Sequence, residues 1–151
     1  TAVKKNQMDF SVSYGAGPIA ANFAYEVQGD ASGNDDLKLT ALNGSYDLGV
    51  AKLLASFGQT KLASAKSTDL QFGANVPLSS ALTLSVGYAQ SKDNTAAGDG
   101  KRTGFGVAAA YGLSKRTTAY GGFRTAKGKT GLLLNGSKKT NVFAVGVNHS
   151  F

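Results

Sequence analysis

The 151-residue sequence has no cysteine and no tryptophan, and only two prolines, one methionine and one histidine. Without cysteine, disulfides, thiol catalysis and cysteine-ligated metals are excluded together. No apolar run reaches the length of about eighteen residues that a membrane-crossing helix needs. Charged residues make up 17% against 42% hydrophobic, too apolar and too weakly charged for a disordered tail. There is no nucleophile elbow, phosphate-binding loop or metal-spaced cluster, so neither catalysis nor a cofactor is expected. The opening Thr1-Ala2-Val3-Lys4-Lys5-Asn6 lacks an apolar segment behind its lysines and does not form a signal peptide. It is expected to open a mature form or a piece of a longer chain.

What the sequence has in quantity is glycine, with 20 residues, together with eight Phe, six Tyr and much Ala, Ser and Thr. That composition suits extended structure. Apolar residues alternate with a period of two almost from the start. Met8, Phe10, Val12 and Tyr14 share one parity, and Gln7, Asp9, Ser11 and Ser13 the other. Ile19, Phe23, Tyr25 and Val27 repeat the pattern, and it returns in residues 69–76, 82–89, 102–113, 119–124 and 142–151. Two further strands lie between Asp36 and Thr60, for an expected total of nine. The first of these breaks the rule: Lys38 and Thr40 share a parity with Leu42 and Tyr46, so a bulge or shifted register is expected there.

The connections alternate as well. Short links are expected at Gly15–Pro18, Asp47–Gly49, Pro77–Ala81 and Leu113–Arg116, and longer polar ones at Gly29–Asp35, Lys61–Ser67, Asp93–Gly100 and Lys127–Ser137. Alternation of tight turns with longer loops is the habit of an up-and-down barrel that crosses a membrane. The two strand faces agree. The apolar face of the seven clearly patterned strands carries no charge, whereas Asp9, Glu26, Asp69, Arg102 and Arg124 all fall on the other. Lys52 joins them if Leu53, Ala55 and Phe57 face outward. A charge on a lipid-facing position near mid-membrane costs about 2–4 kcal/mol for Arg or Lys. The second face is too small and polar to pack a dry core, so water is its natural neighbour. The expected fold is therefore all-β, an antiparallel transmembrane barrel with an aqueous lumen. A soluble barrel with the apolar face inward is the alternative.

The sequence ends Val145-Gly146-Val147-Asn148-His149-Ser150-Phe151. A terminal Phe behind alternating Phe143, Val145, Val147 and His149 resembles the closing strand of Gram-negative outer-membrane proteins, and the whole ending resembles the general porins of β-proteobacteria. Ser45-Tyr46-Asp47-Leu48-Gly49-Val50-Ala51-Lys52 is similar to a strand–turn–strand of the same family. The resemblance implies that Phe143, Val145, Val147, His149 and Phe151 act as the assembly signal. It implies an outer-membrane location, a homotrimer, and a barrel of about sixteen strands of which this chain is the C-terminal portion. The N-terminal strands would then come from the same protein, in one chain or as a separate polypeptide. Thr1–Lys5 would be the remnant of an external loop.

A lumen of this kind implies passive diffusion of small hydrophilic solutes, sorted by size and fixed charge. Arg124, Arg102, Lys52 and Lys38 are the expected basic wall residues, against Asp9, Glu26 and Asp69, which leaves the wall one positive charge in excess. With a net charge of +7 for the chain, small anions are the expected preference. Arg124, well inside its strand, is the leading candidate to face a permeating anion, with a wall salt bridge as its other role. Loop lysines are expected to steer anions or to meet lipopolysaccharide phosphates. No nucleic-acid partner is expected, because the lysines are scattered and the aromatics face away from them. A non-conducting barrel serving as anchor or adhesin is the competing function.

Overall fold

The computed structural model describes residues 6–29, 36–95, 98–128 and 138–151. Nine strands are present: β1 (Gln7–Ala16), β2 (Ile19–Gln28), β3 (Leu37–Asp47), β4 (Lys52–Leu62), β5 (Ala65–Pro77), β6 (Leu82–Thr95), β7 (Gly98–Ser114), β8 (Thr117–Gly128) and β9 (Lys139–His149). Each pairs antiparallel with its sequence neighbours in one sheet ordered β1 to β9, so β1 and β9 are the two edges. Tight links join them at Gly17-Pro18, residues 48–51, residues 78–81 and Lys115-Arg116, near the expected short turns. Gly17 and Gly49 sit at positive φ there, a conformation glycine adopts without a Cβ penalty.

Four expectations are corrected. The pairing of β3 with β4 is unbroken from Leu37↔Leu62 to Asp47↔Lys52, with no bulge. Lys38 and Thr40 therefore lie on the same face as Leu42 and Tyr46, and Lys38 is not a wall charge. Among the described residues the one register shift falls in β7, between Gly112 and Ser114. The expected long link at Lys61–Ser67 is a two-residue turn, with β4 running to Leu62 and β5 starting at Ala65. Likewise β6 and β7 extend through most of Asp93–Gly100. Polar residues mark where an apolar surface ends, but ladder hydrogen bonds carry a strand further. The rest of the expected long links, residues 30–35 and 129–137, and Thr1–Lys5 lie outside the described residues.

Residues directly paired across strands share a face. One face runs through Ser13, Asn22, Asn43, Ser56, Gln71, Ala89 and Gly104. The other runs through Phe72, Tyr88 and Phe105. Side chains on the polar face bond to one another: Asn22 Nδ2 donates to Ser13 Oγ at 2.9 Å and Ser56 Oγ to Asn43 Oδ1 at 2.7 Å. No residue among those described is buried. Phe10, Phe72, Phe105 and Phe143 do not meet in a core; they are 55%, 56%, 49% and 73% exposed. Leaving such a side chain in water forgoes about 1.5–3 kcal/mol each, so this face belongs against hydrocarbon. These residues do not form the core that a soluble barrel with the apolar face inward would need.

The ladder also fixes the tilt. Following partners from Gly15, one residue from the end of β1, leads in six strand steps to Gly106, eight residues from the end of β7. With the tight turns at one level this is a stagger of about 1.2 residues per strand, or a tilt of about 39° for strands rising about 3.3 Å per residue and spaced about 4.8 Å. Such inclination is what barrel closure requires. On the concave polar face side chains converge. A Cβ on Gly122 would lie 3.0 Å from that of Ala108, which explains the small residues. At the β8–β9 seam the Tyr120 ring and hydroxyl cover Gly146, where no Cβ fits. Gly146→Val should displace Tyr120 and weaken the edge strand by about 1–3 kcal/mol. The midpoint of heat-induced unfolding, followed by gel mobility, should fall and be restored by Tyr120→Ser in the same chain. An unchanged midpoint in the single variant would dismiss the contact.

Candidate functional site: the inner wall

A wide, open hollow of about 780 Å³ lies against the sheet; its lining includes Asn43, Ser56, Gln71, Tyr120 and Arg124 of the polar face together with Leu54, Phe72 and Phe105. A second hollow of about 440 Å³ gathers Asp9, Glu26 and Asp69. Counting from the tight-turn ends, Asp9, Glu26 and Arg124 are each seven residues along their strands and Asp69 eight. At the tilt above that is a common depth of about 18 Å. Three carboxylates on β1, β2 and β5 thus share a level with one guanidinium on β8. Arg124 is exposed and makes no hydrogen bond or ion pair with any described residue. Glu26 accepts from Gln7 Nε2 at 3.0 Å, and the Asp69 side chain lies beside Gly58, whose added Cβ would meet its Cβ at 3.6 Å.

Arg102 is engaged differently. Its Nη2 lies 3.0 Å from Asp93 Oδ2 and donates to Ser91 Oγ at 3.0 Å. Ser67 Oγ in turn donates to Asp93 Oδ1 at 2.7 Å. The network stitches β5, β6 and β7 at nine to twelve residues from their tight-turn ends, and the two charges are 35% and 17% exposed. Partial burial strengthens such a pair relative to a solvated one. Asp93 was hidden in the sequence because it falls beyond the last apolar residue of β6, where a loop is expected. Its parity with Ser91 and Ala89 was the available signal. Lys52 is exposed at the very start of β4, paired with Asp47 across the rim.

The wall ledger changes accordingly. With Lys38 outside, the inward strand positions described carry Lys52, Arg102 and Arg124 against Asp9, Glu26, Asp47, Asp69 and Asp93, an excess of acid. The terminal residues Phe143, Val145 and Val147 stand on the outer face of edge strand β9 at 73%, 70% and 64% exposure. His149 Nδ1 is 2.9 Å from Thr117 Oγ1, and its ring meets Phe151 edge-on at 4.9 Å.

Staggered antiparallel strands, an apolar exterior and a wet concave wall define a membrane-spanning β-barrel protein. Residues 1–131 match the Gram-negative porin family, and the chain belongs to it. It is 31% identical over 143 residues to outer membrane porin protein 32 of Delftia acidovorans, covering 90% of this chain and 40% of that protein. The solved anion-selective porin from Comamonas acidovorans superimposes with a TM-score of 0.78 at 26% identity, over 96% of this chain and 49% of that one. OmpT of Vibrio cholerae, in its trimer form, shares the fold at a TM-score of 0.74 and 14% identity, with 96% and 56% covered. The chain therefore spans about half the length of these relatives. Family membership places it in the bacterial outer membrane.

The Arg102–Asp93 pair carries a prediction in the complete barrel. Asp93→Asn should free a positive charge and move the zero-current potential in a salt gradient toward anions. Arg102→Gln should move it toward cations, and the double variant should lie near wild type. Equal potentials in all four would show that the pair does not face the permeation path.

Proposed function

We propose that the chain is the C-terminal portion of a pore wall through which small hydrophilic solutes and ions pass by passive diffusion, with anions preferred. No catalytic step is involved. The observation that carries this reading is an inner face on which small and polar side chains predominate, with Leu39 and Leu54 among them, backed by an outer face that is apolar through the middle of the strands. The missing strands, in one chain or a separate polypeptide, would pair with β1 and β9, and three such barrels would associate. The trimeric relative supports that last point.

Anion preference rests on likeness to an anion-selective porin and on Arg124. In a barrel of about sixteen strands, β8 stands seven steps from β1, nearly across the lumen. Arg124 would then face Asp9 and Glu26 at one depth, so a solute there meets a field directed across the pore. Because the described wall of this portion is acid-rich, the remaining positive charge would come from the other strands. An anion passing about 6 Å from Arg124 in water gains about 0.7 kcal/mol. Arg124→Glu should accordingly reduce the anion-to-cation permeability ratio by about three- to tenfold. Planar-bilayer recordings of the complete pore in a salt gradient read this directly. An unchanged ratio would take Arg124 out of the role; absence of conductance steps in the wild-type barrel would defeat the pore itself.

A further inference from the structure

The polar face is not uniform, because its neutral hydrogen-bonding groups stand together. Ser13, Asn22, Asn43, Ser56 and Gln71 are successive direct partners on β1 to β5, one per strand, and form a single row across the inner wall. Every charge on this face of β1 to β4 (Asp9, Glu26, Asp47 and Lys52) lies four residues along its strand from the row. That is about 13 Å, more than the Debye length of about 8 Å at physiological salt. The row is thus an uncharged lane beside a charged wall. Only Gln71 has a charge close by, Asp69 two residues along β5.

Internal bonds decide what the row offers. Asn22 Nδ2 donates to Ser13 Oγ at 2.9 Å and lies 3.4 Å from the Val12 carbonyl oxygen, which uses the amino group and leaves Asn22 Oδ1 open. Ser56 Oγ donates to Asn43 Oδ1 at 2.7 Å, which leaves Asn43 Nδ2 open. The Gln71 side chain makes no hydrogen bond to a described residue and offers both a donor and an acceptor. An open acceptor and an open donor therefore stand on neighbouring strands about 4.8 Å apart, fixed by the bonds their other atoms make. A charged solute is held by one counter-charge. A solute with many hydroxyls needs a series of neutral partners, since each hydroxyl donates and accepts and leaves water only for an equivalent bond. Leu54 completes the surface: its Cδ1 lies 3.9 Å from where a Cβ on Gly73 would stand, so it leans between Ser56 and Gln71. An apolar patch beside donors and acceptors matches a sugar ring, which is apolar on its faces and polar at its edge.

We infer that this row is a binding track for uncharged polyhydroxylated solutes, sugars above all, laid along the inner wall from β1 to β5. It measures about 19 Å, four strand spacings and enough for a trisaccharide. It rises from three residues above the tight-turn end of β1 to six above that of β5, one residue short of the level of Arg124. The inference rests on the chain being a pore wall, and it names a class of solute that charge does not select.

Planar-bilayer recordings of the complete pore, titrated with maltotriose, test it. The wild-type current should fall to a plateau as sugar is added, since a track fills. A polyethylene glycol of matched size, which accepts hydrogen bonds but does not donate them along its length, should lower the current without a plateau. Asn43→Leu with Gln71→Met removes open groups with little change of volume and should raise the half-saturating maltotriose concentration about tenfold. A current that falls in proportion to maltotriose without a plateau would overturn the track, as would one half-saturating concentration shared by wild type and variant. The wild-type comparison of the two solutes stands whether or not the variant assembles. Recordings with no conductance steps would defeat the pore reading and the track with it, whereas steps indifferent to maltotriose would overturn the track alone.

Discussion

In hydrocarbon there is no water to satisfy a peptide group, and each unpaired N–H or C=O costs several kcal/mol. Everything else here follows from that requirement. The backbone spends its donors and acceptors on neighbouring strands, in eight unbroken or nearly unbroken antiparallel ladders. Side chains are then left to face two different solvents. The ladders leave β1 and β9 as the edges of the described sheet, and a bilayer does not tolerate an unpaired edge, so in a membrane each edge must meet a partner.

The two-solvent problem explains the composition. On the concave side, inclined strands bring side chains together, and glycine and alanine keep the path open; Gly122 beside Ala108 shows how little room there is. On the convex side, the same strands present Phe72, Tyr88 and Phe105 in a row. The 20 glycines of a sequence with 42% hydrophobic residues are thus two halves of one design. Charge is sorted by the same rule. On the described strands Arg102, Arg124 and Lys52 share the polar face with Asp9, Glu26, Asp47, Asp69 and Asp93, while Lys38, Lys61, Lys66, Lys92, Lys101, Lys127 and Lys139 fall on the other.

Strand number, order and facing were legible because a period of two survives wherever one side meets hydrocarbon. β1 shows it without exception, and β9 from Phe143 to Val147 on its outer side. The alternation fails as a guide past the membrane surface. There Lys61, Lys92 and Lys127 look like loop residues, although each keeps the parity of Phe57, Tyr88 and Phe123. Lys38 was misread for the same reason: a lysine beside the parity of Leu42 suggests a slipped register until the strand is known to project beyond the lipid. The Arg102–Asp93 pair lay in the same blind zone. Arg124 was legible, since it sits seven residues inside its strand on the small-residue face. That it stands level with Asp9 and Glu26 was not, because depth depends on the stagger between strands, which no single strand encodes.

The absence of cysteine makes the two-solvent arrangement directly measurable. Single cysteines placed at each of residues 103–110 of β7, in the complete barrel in lipid vesicles, can be offered a charged, water-soluble thiol reagent and a membrane-confined one. The water-soluble reagent should modify positions 104, 106, 108 and 110, and the membrane-confined reagent positions 103, 105, 107 and 109. Modification of positions 105 and 107 by the charged reagent, at rates matching 106 and 108, would contradict a wall with lipid on one side and water on the other.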